Sequence, residues 1–311
     1  MFYFAVIFVA VLLMILAIQK FNMHPFIVMT VISILVGLVC GIPSEKVIAI
    51  VKNGFGSIMG NIGIVILCGT IIGTILEKTG AALTMANAIL GIVGKSRSVL
   101  TMTITGYVTG IPVFCDSGFV ILSPISRALA DRSNVSLAVM ATALSGGLYA
   151  THCLVPPTPG PIAMAGTLGA DLGMTILVGL LVSIPATLAA YLYAKYISSK
   201  IDIPANPEFT VEELLEKYGK LPGALHSFSP ILVPIFLIAL KSVGDFPSHP
   251  LGNGTMKYFF SFIGNPVIAL VLGVFLAMTL IPGTEKKNAL KWITEGVTNS
   301  AGILAITGAG G

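Results

Sequence analysis

Apolar residues fall along this chain in blocks rather than in alternation. Nearly continuous apolar runs cover Phe2 to Ile18, Phe26 to Ile42, Ile58 to Leu76, Leu137 to Ala150, Met174 to Tyr196, Phe228 to Leu240, Met256 to Ile281 and Ala289 to Ala309. A helix needs roughly 20 such residues to cross hydrocarbon, at about 1.5 Å rise each. Backbone polar groups inside a bilayer have no water to meet, so they must bond within the segment or within a closed barrel. The period-two pattern of a barrel strand is missing. The pattern therefore predicts an all-α fold: a polytopic transmembrane helix bundle. The first run lacks a basic segment before it and a convincing small-residue cleavage site after it, so it reads as a retained span and not a signal peptide.

One long stretch is plainly aqueous. Ser198 to Ser227 holds Asp202, Glu208, Glu212, Glu213, Glu216, Lys217 and Lys220. Within it, Thr210 followed by Glu213 has the spacing of a capping box, in which each side chain bonds the other's backbone N–H, and predicts a short surface helix through Tyr218. This stretch divides the chain into a first transmembrane part over 1–197, a polar loop over 198–227, and a second transmembrane part over 228–311.

The two parts echo each other at an offset near that of a full repeat. His24-Pro25 lies over Asn265-Pro266, Glu45-Lys46 over Glu285-Lys286, Gly54 over Gly296, and Gly63-Ile64 with Gly69 over Gly302-Ile303 with Gly308. On this register Gly311 corresponds to about Ile72. The second copy is expected to be incomplete at its C-terminal end, with equivalents of Ile72 to Tyr196 lying beyond it. Secondary transporters are commonly built from two such repeats, with the solute bound near mid-membrane where discontinuous helices meet.

Composition and charge narrow the function. Only 10% of residues are charged and 55% are hydrophobic, against about 25% charged in a soluble domain. The net charge of +4 is spread over short loops, at Lys95 and Arg97, Arg127 and Arg132, Lys286 and Lys287. Isolated basic pairs at span ends are interfacial anchors rather than a nucleic-acid footprint, and the mixed sign of the loops does not fix an orientation. Cys40, Cys68, Cys115 and Cys153 stand singly in apolar segments without a C-x-x-C spacing, and read as small buried thiols. No metal site or cofactor is predicted.

Two segments interrupt the apolar pattern. In Gly106-Tyr-Val-Thr-Gly110-Ile-Pro112-Val-Phe-Cys-Asp116-Ser117-Gly118, Gly110 and Pro112 break the helical ladder at membrane depth. Unpaired backbone is tolerated there only where it is buried in protein or lines a wet cavity. Asp116 falls where a new half-helix would start. An intramembrane acid is a functional candidate because its burial costs several kcal/mol unless it is paired or hydrated, and Ser117 beside it could donate to a ligand. The alternative is that Asp116 caps a helix at the interface.

The second segment, Thr151-His152-Cys-Leu-Val-Pro156-Pro157-Thr158-Pro159-Gly160-Pro161, is too rich in proline for regular helix. It is expected to be extended and re-entrant, with its carbonyls and the Thr158 hydroxyl free to meet a solute, and with Pro161 opening the next helix. His152 could relay a proton or simply satisfy a neighbouring carbonyl. Elsewhere Asp171 reads as a helix cap, Glu77 and Lys78 as interfacial, and Gly69/Gly73 as a small-residue packing pair beside Asn61, Thr70 and Thr74.

The strings Thr-Gly110-Ile-Pro-Val-Phe-Cys-Asp116-Ser-Gly118-Phe-Val-Ile-Leu and Thr151-His152-Cys-Leu-Val-Pro-Pro-Thr-Pro-Gly-Pro161, followed by Ala170-Asp171-Leu-Gly173, resemble the gluconate permease (GntP) family of proton symporters. The likeness runs over essentially the whole chain and is strongest from Gly106 to Tyr196. The resemblance implies a multi-pass protein of the cytoplasmic (inner) membrane with inverted repeats and re-entrant hairpins. It implies a secondary active transporter that imports gluconate or a related small organic acid with H⁺. The substrate site it points to comprises Gly110, Pro112, Asp116, Ser117, Gly118, Thr151, His152, Thr158, Pro159 and Gly160, with Asp116 and His152 exchanging the coupling proton. Partners are then the solute, H⁺, the bilayer and a possible second copy of the chain, with no nucleic acid. The chain departs from the family at Cys115 and Asp116, where a bulkier apolar residue and a glutamate are frequent, and at Thr158, where a histidine is. A D-serine, hydroxy-acid or dicarboxylate symporter, coupled to H⁺ or Na⁺, is the alternative within the class. An intramembrane enzyme is the alternative outside it, and the sequence carries no paired aspartates, Ser/His pair or H-E-x-x-H to support one.

Overall fold

The computed structural model describes residues 1–94, 97–111, 113, 115–205, 221–244 and 254–311, apart from the side chains of Asp116, Ser117, Pro159 and Val243. The capping box at Thr210–Glu213 lies outside the described residues, as does Pro112.

The described residues are overwhelmingly helical and contain no strand. In order they form α1 (Phe2–Gln19), α2 (Pro25–Val39), α3 (Ser44–Lys78), α4 (Ala81–Val93), α5 (Ser98–Thr109), α6 (Cys115–Arg132) and α7 (Leu137–Leu154). There follow α8 (Pro159–Leu168), α9 (Leu172–Tyr196), α10 (Ala224–Gly244), α11 (Thr255–Ile263), α12 (Pro266–Thr279) and α13 (Ala289–Ala309). Single 3₁₀ turns lie at Ser198–Lys200 and Gly283–Asn288.

Five of these helices, α1, α3, α7, α9 and α10, are long and apolar enough to cross a membrane. The run Met256 to Ile281, expected as one span, is instead a pair: α11 and α12 meet at a 62° bend. Asn265 there accepts from Val267 N at 3.0 Å and Pro266 supplies the first residue of α12, so the chain restarts a helix rather than continuing one. Two other expected spans fall short. α2 has 15 residues, about 22 Å of helix. α13 carries Lys291, Thr294, Glu295, Thr298, Asn299 and Ser300 along its first half, which dilutes its apolar surface. α3 exceeds expectation: its 35 residues extend to about 52 Å, well beyond hydrocarbon roughly 30 Å thick.

The chain divides into two compact units. The first comprises Met1–Ile64 with Thr298–Gly311. In it α1 and α2 form a hairpin around Ala10, Val28 and Ile32. α2 starts as α12 does, with Pro25 at its first position and the preceding His24 accepting from Phe26 N at 3.3 Å. Gly63 meets Leu304 and Phe55 meets Gly308, so α3 and α13 run antiparallel there.

The second unit, Val65–Val297, holds the main core. Leu83, Leu90, Met102, Leu122, Leu129, Met140, Leu144 and Leu148 from α4 to α7 are buried together. Helices in lipid gain little from apolar contact alone and associate through close backbone approach and polar bonds. Gly106 of α5 and Gly147 of α7 supply the approach: a Cβ on either would enter the other helix's backbone. α9 also packs on α7, where Gly146 faces Ala190. The segment after α9 turns back: Ser198 Oγ donates to Thr142 Oγ1 at 3.1 Å, and Leu137 N donates to Ile203 O at 2.9 Å.

Candidate functional site

Both interruptions read from the sequence are breaks between helices. α5 ends at Thr109, Gly110 carries its last cap, and α6 begins at Cys115 with Asp116 and Ser117 in its first turn. The side chains of those two residues lie outside the described set.

The geometry behind the break is tight. Thr151 Oγ1 on α7 donates to Tyr107 O on α5 at 2.9 Å, and a Cβ on Gly110 would lie 2.5 Å from that oxygen and 2.7 Å from Leu148 O. A Cβ on Gly118 would lie 2.9 Å from the Leu148 side chain and 3.6 Å from Val113. Gly110, Gly118 and Thr151 are thus brought together around Leu148, each as small as its neighbours require.

Tyr107, which the sequence reading passed over, anchors the same turn. Its hydroxyl donates to Leu180 O of α9 at 3.1 Å and accepts from the fully buried Ser183 Oγ at 3.0 Å. With Thr151 on its carbonyl and α9 on its hydroxyl, it ties α5 to both neighbours one turn before the break. A tyrosine three residues before Gly110 was the available signal: a half-buried phenol usually finds a partner.

The second break is shorter than expected. α7 continues through His152 to Leu154, the chain turns over Val155–Thr158, and Pro159, not Pro161, opens α8. Proline is accommodated in a first helical turn because the N–H it lacks would have no intrahelical partner. The Thr158 hydroxyl is not free for a solute: it is buried and donates to Val155 O at 2.6 Å, closing the turn. Gly179 of α9 lies against Leu154 and Val155, and Gly69 of α3 comes within a Cβ's reach of Pro157 O, at 3.3 Å. Gly160 is exposed with open space around it. Among the described residues the two breaks therefore have different surroundings, the first set by α7 and the second by α3 and α9.

Asp171 caps α9 as read, accepting from Met174 N at 2.8 Å. Its Oδ1 also accepts from the buried Ser242 Oγ of α10 at 2.5 Å, a partner the sequence did not reveal. A trough of about 470 Å³ opens beside the first break, between Cys115, Phe119 and Val120 of α6 and Ala141, Thr142, Ser145 and Tyr149 of α7.

Comparison with known proteins gives the arrangement a family. The sequence profile of the GntP family permeases matches residues 2–311. The chain is 37% identical over 97% of its length to an uncharacterized permease of Haemophilus influenzae, covering 65% of that protein. It is 34% identical to a gluconate permease of Pseudomonas aeruginosa and 30% identical to the D-serine transporter DsdX of Escherichia coli K12, over 97% of its own length and 68% of theirs in both cases. The chain thus spans about two thirds of the length of these relatives. No solved structure matches it. With its apolar spans, its paired helix breaks and this profile running from end to end, the chain is a multi-pass integral membrane protein that belongs to the GntP permease family.

Proposed function

We propose that this chain works in secondary active transport, importing gluconate or a related small organic acid with a proton. The observation that carries the reading is the break between α5 and α6. A helix stops at Gly110, and the next begins with an aspartate in its first turn, backed by the Thr151–Tyr107 bond. A half-helix start offers backbone N–H groups and a positive dipole end to an anion. Asp116 supplies a carboxyl that can be charged or neutral according to the proton it holds, and His152 on α7 supplies a second titratable group. The names of the relatives support a small organic acid as cargo. They include gluconate and D-serine, and gluconate is favoured by the hydroxyl-bearing trough beside the first break.

The mechanism would be alternating access around a site at this break, with Gly110, Pro112, Ser117, Gly118 and Thr151 shaping it, and Pro159 and Gly160 at the start of α8 forming a second, separate tip. An inverted duplication accounts for the matched starts of α2 and α12 and for the antiparallel course of α3 and α13.

The test is uptake of labelled gluconate in proteoliposomes under an imposed pH gradient, with and without Na⁺, against Asp116→Asn. Uptake that follows the pH gradient and is lost in the variant is expected. Gradient-driven uptake that persists undiminished in Asp116→Asn overturns the role given to that residue, and uptake driven by Na⁺ alone overturns proton coupling.

A further inference from the structure

α7 carries two faces of different chemistry. Leu144, Gly147, Leu148 and Thr151 face α5 and α6. On another face Thr142, Ser145 and Tyr149 recur at i, i+3 and i+7, the spacing of one helical stripe. They form one wall of the trough closed on the other side by Cys115, Phe119 and Val120. It is an open groove of about 470 Å³.

The hydroxyls of this stripe are oriented by the protein itself. Thr142 Oγ1 donates to Ala138 O at 2.7 Å and accepts from Ser198 Oγ at 3.1 Å. Ser145 Oγ donates to Thr142 O at 3.2 Å. A hydroxyl has one proton and two lone pairs. Once its proton is committed to a carbonyl, Ser145 presents acceptor capacity, while Tyr149, 56% exposed, brings a phenol that can both donate and accept. Helical spacing continues the stripe to His152, and Cys115 on the facing wall is the chain neighbour of Asp116. A run of preset hydroxyls thus lies on the stripe of α7 that leads to His152, opposite an apolar wall of Phe119 and Val120. That pairing of one polar and one apolar wall matches a flexible carbon chain bearing hydroxyls along one side.

We infer that the α6–α7 trough is the subsite for the hydroxylated carbon chain of the solute, with Ser145 and Tyr149 as the residues that distinguish a polyhydroxy acid from a short or unhydroxylated one. The inference rests on the transport reading and adds the origin of its selectivity. A site built to bond a substrate hydroxyl discriminates strongly against analogues lacking it, because its own polar groups are then left without partners.

Two measurements test it. Ser145→Ala and Tyr149→Phe are each expected to raise the KM for gluconate about ten-fold, the scale of one lost hydrogen bond, with a smaller change in maximal rate. The ratio of inhibition constants of gluconate and propionate should narrow with it. Separately, Ser145→Cys in detergent-solubilised chain should be alkylated by a small maleimide, read by mass spectrometry of that peptide, and slowed by gluconate but not by propionate. The second readout needs binding and no transport. A chain that protects the cysteine yet carries no gluconate overturns the transport reading and keeps the subsite. Gluconate uptake with unchanged KM in both variants, together with no protection of the cysteine, overturns the subsite and keeps the transport reading.

Discussion

Thr151 on α7 donates its hydroxyl to the carbonyl of Tyr107 on α5 at 2.9 Å, one turn before α5 breaks at Gly110. Interhelical bonds of this kind in membranes average about 0.6 kcal/mol, with values to about 1.7. Thr151→Val keeps the shape and removes the bond, so it is expected to lower stability by that modest amount. Gly110→Ala puts a carbon 2.5 Å from the same oxygen and 2.7 Å from Leu148 O, and must push the helices apart. Thermal unfolding in detergent should therefore show a larger loss for Gly110→Ala than for Thr151→Val. The reverse order would mean that the hydroxyl, and not the close approach, holds the break.

The Gly106–Gly147 crossing gives a sharper steric test. A Cβ on Gly147 would lie 2.7 Å from Tyr107 N and 3.1 Å from the carbonyl carbon of Gly106. Gly147→Val should cost at least the roughly 1–3 kcal/mol typical of overpacking, read as a clear drop in melting temperature in detergent. Gly91 of α4 has open space around it, and Gly91→Ala should be neutral or stabilising by up to about 1 kcal/mol, since alanine suits a helix better. Equal damage from the two substitutions would show that the crossing is not where α5 and α7 are held.

What the sequence could and could not announce follows from the range over which each signal acts. The all-α bundle, the break at Gly110 and the cap at Asp171 depend on residues close in the chain, and they were legible. The boundaries at the prolines were only half legible. Pro156 and Pro157 stop a helix wherever they stand, but whether Pro159 or Pro161 restarts it depends on how tightly Thr158 closes the turn onto Val155. The 62° bend at Asn265 is hidden inside an apolar run, although the repeat lays Asn265-Pro266 over His24-Pro25. The partners of Tyr107 and Asp171, namely Ser183 and Ser242, lie some 70 residues or more away in the chain, and no local pattern could name them. The polar stripe of α7 lies within a run that reads as apolar, and its trough exists only because α6 lies opposite.

Asp171 joins two functions in one oxygen. Its Oδ1 caps α9 through Met174 N and receives the Ser242 hydroxyl of α10, while Gly173 leaves room for that serine. Loss of an N-cap costs about 0.5–2 kcal/mol. Asp171→Ala removes both bonds, Ser242→Ala only one. Melting temperatures in detergent should fall in the order wild type, Ser242→Ala, Asp171→Ala. In the double variant the serine change should add nothing further to the aspartate change. Full additivity of the two would show that the α9–α10 bond is absent in solution.

Lys78 closes α3 and meets Glu295 of α13 at 2.7 Å, with the two side chains 33% and 38% exposed. At that exposure solvent screens the pair, and its contribution is expected to stay below about 1 kcal/mol. Its test is therefore one of sign rather than size. Lys78→Glu sets two carboxylates side by side and Glu295→Lys two ammonium groups, so each single variant should melt earlier than wild type. The double exchange restores opposite charges and should recover most of the loss. Raising the salt from about 0.1 M to about 1 M shortens the screening length from about 10 Å to about 3 Å, and should shrink the differences among the four proteins. Recovery in the exchanged pair that fades with salt identifies a working ion pair between α3 and α13. Two single losses that simply add in the double variant, unchanged by salt, would instead assign both residues to separate contacts with their surroundings.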